Sequence, residues 1–274
     1  MCGYTVFCVM CESHLQWGYT CKNAHVFDVL FLFYQKVSIM HNADINGKWA
    51  LVTGASRGVG RQVSMGLASY GCNVVLHSRD TRGTDALAAD LRATGVQVIQ
   101  VAAELSDIAQ VDAMLASVLA QTPGIDIVYN NAAIMTPYRS DWKDIPVADF
   151  ELSFAVNVIA LIHICHALIP GMVARGWGRI INLTSGIKDQ PELIAYSISK
   201  AAVDKFVTDT AGQLAPAGVL INLLDPGWLR TDMGGSSAPG AVESVLPGAL
   251  LPALLNDGTT GHFFRAQDYA GKTI

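Results

Sequence analysis

Charge is what this chain has least of. Asp, Glu, Lys and Arg together make up 15% of its 274 residues, against 51% hydrophobic residues. So apolar a composition excludes a disordered chain and leaves ample material for a buried core. Positive charge is also in deficit, since 18 Lys and Arg against 23 Asp and Glu give a net charge of −5. That balance argues against nucleic acid as a partner. Cysteine is sparse beyond the first 21 residues, which hold four of the six; Cys72 and Cys165 lie in apolar surroundings. A disulfide framework is thereby excluded. The apolar run VFDVLFLFY, Val26 to Tyr34, is broken by Asp28 and falls well short of the ~20 residues that span a bilayer. No basic region precedes it, as a secretory signal requires. The expectation is a cytoplasmic protein in a reducing setting, without a membrane partner.

Residues 1–44 differ from the rest, being rich in Cys, aromatics and His without a clear period. Cys8 and Cys11, with His14, Cys21 and His25 nearby, fit no structural zinc spacing, so no metal is expected. This segment reads as an N-terminal extension outside the compact fold, with residues 45–274 forming one domain. From Lys48 a rhythm begins. The apolar runs WALVTG, CNVVLHS, VQVIQVAA, IDIVYNNAA, GRIINLTS and GVLINLLDPG alternate with helical stretches, and GHFFRA adds a short seventh. Continuous apolar strands alternating with helices imply a parallel sheet covered on both faces. The fold class is therefore α/β, a doubly wound parallel sheet of Rossmann type with about seven strands.

Two stretches carry the chemistry. TGASRGVG, Thr53 to Gly60, lies between the first strand and the first helix, with glycines at 54, 58 and 60. Glycine permits a tight turn and close backbone approach, and the helix start offers N–H groups to an anion such as pyrophosphate. In that context the loop reads as dinucleotide-binding, placing Gly54, Ser56, Arg57, Gly58, Val59 and Gly60 against the cofactor. The second strand ends VLHSRD. An acid there would hold the 2′-hydroxyl of NAD, whereas Ser78, Arg79 and the loop's Arg57 suit a 2′-phosphate. NADP(H) is expected rather than NAD(H), with Asp80 the residue that a small shift would turn toward the ribose. The octet AYSISKAA sets Tyr196 and Lys200 on one helical face.

TGASRGVG, NNAA at Asn130 to Ala133 and Tyr196-x-x-x-Lys200, in this order, resemble the short-chain dehydrogenase/reductase family over about Lys48 to Arg265. The resemblance implies a hydride transfer between NADP(H) and a carbonyl or alcohol substrate. It assigns Tyr196 as proton donor and acceptor, and Lys200 to the nicotinamide ribose and to lowering the tyrosine pKa. Ser185 is the hydroxyl that binds the substrate oxygen, with Thr184 its rival by one position. Asn157 matches the asparagine holding a water that links Lys200 to solvent, although a buried amide in so apolar a helix also needs partners of its own. Glu104 and Leu105 fall beside the adenine, and Asn131, Ala132 and Ala133 beside the ribose. Pro226, Gly227 and Thr231 fall around the nicotinamide. GGSSAPGAVESVLPG, which follows, suits a lid, and its few charges point to a small or medium apolar ketone or aldehyde. His163 and His166, without nearby acids in the sequence, read as core or interface residues. Family members pair through their long helices, so a homodimer or homotetramer is expected. The alternative is an NADPH-binding regulator or redox-sensing partner with little turnover.

Overall fold

The computed structural model describes residues 8–11, 14–17 and 42–273. The chain divides into two units, Met1–Met40 and His41–Ile274. In the first, β1 (Cys8–Cys11) pairs antiparallel with β2 (His14–Trp17), setting Cys11 opposite His14. Cys21 and His25 lie outside the described residues. The second unit starts earlier than residue 45: the Ala43 N–H donates to Leu254 O and its side chain is buried. Residues 42–44 thus belong to the compact unit, which corrects the expected boundary.

That unit is built on seven strands: β3 (Trp49–Val52), β4 (Asn73–Ser78), β5 (Val98–Ala102), β6 (Ile127–Asn130), β7 (Gly178–Leu183), β8 (Val219–Asp225) and β9 (Phe263–Arg265). They lie in the order β5-β4-β3-β6-β7-β8-β9, every pair parallel. All residues of β3, β4, β6 and β7 are buried, which is why these strands read as unbroken apolar runs rather than alternating ones. One face packs under α1 (Gly58–Ser69) and α2 (Asp85–Ala93) through Val63, Leu67, Leu87 and Leu91. The other packs under α3 (Ile108–Gln121), α5 (Ala160–Arg175) and α6 (Ile194–Leu214) through Val111, Leu115, Ile164, Leu168, Val203 and Val207.

The chain moves outward from β3 to β5 and returns to β6 on the other side of β3, so the switch of direction lies between β3 and β6. Ligands of open α/β sheets bind at that crevice, beyond the carboxyl ends of the strands. The longest helical run joins α4 (Val147–Phe154), a π-helical turn (Ala155–Ile159) and α5. It ends at Gly176 in the left-handed conformation, φ 68°. This run, Val147–Arg175, is long and apolar enough to cross a bilayer by length and composition. It packs against α3 and α6 across one face of the sheet. A short α7 (Leu251–Leu254) closes the fold near β7.

Candidate active site

The glycine loop is bolted to both flanking strands. The Thr53 hydroxyl donates to Tyr129 O and accepts the Asn131 and Ala132 N–H groups at 2.9 and 3.0 Å. Asn131 Nδ2 donates to the Thr53 and Gly54 carbonyls at 2.8 and 3.1 Å. Its side chain therefore braces the loop, not a ligand. Gly54 and Gly58 hold φ values of 67° and 59°, where glycine is favoured. A Cβ on Gly60 would overlap the Gly54 carbonyl, so helix and strand meet at a distance only glycine allows. No side chain caps α1, leaving its first N–H groups for an anion. Outside the loop opens a cavity of about 450 Å³, lined in part by Ser56, Arg57, Gly58 and Arg61. A cradle that a methyl group would fill, ending on free amide donors, fits a dinucleotide pyrophosphate.

At the adenosine end, the Ser78 hydroxyl donates to Asp80 O at 2.7 Å. Asp80 accepts from the Arg82 backbone and pairs with its guanidinium, so its carboxylate is occupied within its own turn. Arg82 holds that carboxyl below the usual range. Arg79 is exposed, and among the described residues it forms no ion pair. Arg57 instead pairs with Asp232 at 3.0 Å, both side chains largely exposed; its guanidinium has an acidic partner the sequence did not suggest. The Glu104 carboxylate accepts from Ser106 N and Oγ within its own turn, and Leu105 is buried. Only backbone remains there for an adenine.

His77 is a residue the sequence reading missed. Its imidazole is buried, accepts the Gly54 N–H at Nδ1 (3.3 Å) and lies 3.1 Å from Ala103 O at Nε2. Those partners fix a neutral ring protonated at Nε2, and burial pushes its pKa below 6.5. It ties the glycine loop to the turn that carries Glu104.

The candidate reaction centre lies where β7 ends and α6 begins. Tyr196 and Lys200 share a face of α6 and are 8% and 4% exposed. The Ser185 hydroxyl, just past β7, faces the phenol oxygen and stabilises its anion. Thr184 does not compete: it is buried and its hydroxyl donates to Asp204. Lys200 Nζ donates to Leu183 O at 2.8 Å and lies 5.6 Å from the centre of the Tyr196 ring. Burial pulls its pKa down to about 8, opposed by Asp204. The tyrosine moves opposite to the expected direction. Burial pushes it up to about 12, Ser185 opposes, and Asp225 pushes it further up. The ammonium sits beside the ring and is bound to a carbonyl, so it does not offset the loss of hydration at the oxygen.

Asn157 occupies the middle of the π-helical turn and is 1% exposed. Its Oδ1 accepts the Ile134 N–H at 2.8 Å, while Nδ2 donates to Ile134 O and to Ser199 Oγ at 2.9 and 3.0 Å. The amide thus clamps the strand-end loop to α6, and no side-chain donor is left over for a water. Extra residues in a helical turn often mark functional positions; here the turn brings this amide to both neighbours.

Pro226 O accepts from Gln267, and Gly227 holds φ 83° with its N–H on Asp225. The Thr231 hydroxyl accepts the Gly234 N–H, and its methyl faces Gly58. The segment expected as a lid is pinned down: Arg230 Nη1 donates to Ala238 O and Pro239 O at 3.1 and 2.8 Å, and Trp228 Nε1 donates to Gly234 O. His163 meets an acid after all, Asp112 on α3 at 2.6 Å.

A Rossmann-type sheet with a glycine cradle at its switch point and a Ser–Tyr–Lys cluster beside it defines a nucleotide-dependent oxidoreductase. Residues 48–241 match the family model described as short chain dehydrogenase, and the chain belongs to that family. It is 31% identical over 193 residues to a D-beta-hydroxybutyrate dehydrogenase of Cupriavidus necator, covering 69% of this chain and 73% of that one. Among solved structures, a 3-oxoacyl (acyl-carrier-protein) reductase of Agrobacterium tumefaciens C58 with NADP bound is similar, with a TM-score of 0.74 and 26% identity. The match covers 85% of this chain and 98% of that one. An NAD+-bound xylitol dehydrogenase has the same fold, with a TM-score of 0.74 at 23% identity over 81% of this chain and 98% of that one.

Proposed function

We propose that this oxidoreductase is an NADP(H)-dependent carbonyl reductase acting on small or medium carbonyl compounds and their alcohols. The observation that carries the reading is the buried Tyr196 hydroxyl, faced by Ser185 and backed by Lys200 one turn along α6. Gly54, Gly58 and the start of α1 would hold the pyrophosphate, Arg79 the 2′-phosphate, and Lys200 the nicotinamide ribose. The bound cofactor supplies the hydride. Tyr196 gives its proton to the carbonyl oxygen, and Ser185 donates a second hydrogen bond to that oxygen as negative charge builds on it. A phenol held at about 12 is fully protonated at neutral pH, as a proton donor must be.

Preference for NADP(H) rests on Arg79, free of an ion pair among the described residues, and on Asp80 being tied to Arg82. Arg57 joins Arg79 only when its pair with Asp232 opens; exposed pairs of this kind are weak. A homodimer or homotetramer in the cytoplasm completes the proposal. The test is a carbonyl panel assayed with NADPH and NADH. The expected result is turnover with NADPH favoured by at least about tenfold in kcat/KM, the preference lost in Arg79→Ala. Tyr196→Phe should remove at least about 100-fold of kcat while NADPH affinity holds. Tight NADPH binding without turnover anywhere on the panel would favour the regulator instead.

A further inference from the structure

One charged group beside the candidate reaction centre neither gives nor takes the transferred proton. Asp225 ends β8, next to β7, and the register Leu183↔Leu224 sets it alongside Thr184 and Ser185. Side chains alternate along a strand. Leu223 packs with Val203 and Val207 of α6, so Asp225, two residues on, points to the face that carries Tyr196. Its Oδ1 accepts the Gly227 N–H at 2.9 Å. Its Oδ2 stands so near Gly186 that a Cβ there would be 2.9 Å from it. The carboxylate is half-buried at the carboxyl edge of the sheet, where an α/β fold binds its ligand. Among the described residues no cation pairs with it. The other titratable groups around it are Arg265, its register partner on β9, which forms no ion pair with it, Tyr196 and Asp204, whose pKa values its charge pushes up, and Lys200, which Asp204 faces.

We infer that Asp225 is a specificity-determining residue: its carboxylate, set between Gly186 and the Tyr196 face of the cleft, rejects substrates that carry a carboxylate near the reacting carbonyl and admits neutral ones. An anionic substrate bound through Ser185 and Tyr196 would bring its own charge toward that of Asp225, a half-buried carboxylate that water screens less than an exposed one. A neutral ester of the same skeleton meets no such repulsion. Gly186 strengthens the effect, because any side chain there would stand between carboxylate and substrate.

The inference rests on the carbonyl-reductase reading, and the experiment separates the two. NADPH-dependent reduction is measured for two matched pairs, acetoacetate with methyl acetoacetate and phenylglyoxylate with methyl phenylglyoxylate. Wild type and Asp225→Asn are compared; the amide can still accept the Gly227 N–H. Wild type should favour each ester by about tenfold or more in kcat/KM. Asp225→Asn should raise kcat/KM for each acid by about the same factor relative to its own ester, whatever common change its effect on Tyr196 brings to both. Equal use of acid and ester by the wild type, or equal changes for both in the variant, would overturn the inference while leaving the reductase reading intact. Failure of both proteins on all four compounds would remove the reductase reading, and the inference with it.

Discussion

Gly60→Ala adds a single methyl group and should damage both the fold and the cofactor site. That methyl would overlap the Gly54 carbonyl oxygen and stand 2.5 Å from Asn131 Nδ2 and 2.9 Å from the Gly54 carbonyl carbon. Ordinary contact begins near 3.4 Å, so α1 must move away from β3 by about an ångström. The loop has little freedom to follow. Thr53, Asn131 and His77 hold it at five hydrogen bonds, and Asn131 is itself one of the atoms struck. Overpacking of this sort costs about 1–3 kcal/mol, or a Tm lower by roughly 2–12 °C for a domain of this size. The displaced helix start also loses its aim at the pyrophosphate, so NADPH affinity should fall at least about tenfold. Gly212→Ala is the control. It lies inside α6 with nothing within 4 Å of the new methyl, so it should stabilise by up to about 1 kcal/mol. Thermal melts with and without NADPH, and a fluorescence titration of the cofactor, read both effects. A Gly60→Ala protein that melts and binds like the wild type would refute the close-approach argument.

Two further substitutions probe the buried ionisable groups. Lys200→Met should abolish turnover yet stabilise the apoprotein at pH 7 by about 1–2 kcal/mol, because a lysine held down at about 8 costs the folded state roughly 3 kcal/mol and only part is returned by its bond to Leu183. Between pH 8 and 10.5 the unfolded chain keeps the lysine proton that the folded chain has lost, so wild-type stability rises with pH there. The advantage of the variant in denaturant titrations should fade across that window, and a constant difference from pH 7 to 10 would count against the burial argument. His77→Asn should flatten the loss of stability below pH 6.5, since its folded pKa lies below the unfolded value and the unfolded chain alone takes up the proton. Identical pH slopes for variant and wild type would show that the imidazole is not held neutral by the loop.

What the sequence makes legible is whatever depends on near neighbours. The strands appear as apolar runs because each is buried on both faces, and the glycine loop appears because three glycines stand between a strand and a helix. Tyr196 and Lys200 are visible as a pair because one helical turn separates them. The missed features all join distant positions. Arg57 meets Asp232 across 175 residues, Thr184 meets Asp204 from another element, and the His77 ring reaches Gly54 across a strand pair. Asn131 and Asn157 were identified as important positions, but their roles depended on which backbone groups stood opposite: both amides bind the chain itself. The lid-like composition of residues 234–248 likewise gave no hint that Arg230 and Trp228 would pin the loop. The sign of the tyrosine shift was lost for the same reason, since helical spacing shows that a lysine is near but not that its ammonium is bound to Leu183 O.

The same burial acts in opposite senses on the two groups that carry the proposed chemistry. It disfavours charge, so it raises the phenol to about 12 and lowers the ammonium to about 8. At neutral pH this leaves a phenol that keeps its proton beside a lysine that remains mostly charged, the combination a proton donor for reduction requires. Asp225 pushes the phenol further the same way, while the hydrogen bond from Ser185 eases its ionisation. Running the reaction as an oxidation needs the phenolate, and so needs positive charge near its oxygen. Lys200 can provide some by leaving Leu183 O, a movement of one hydrogen bond at the end of a flexible stem. A carbonyl acceptor that holds the ammonium off the phenol in the free protein therefore biases the site toward proton donation, and the bias weakens when the ribose offers Lys200 other acceptors.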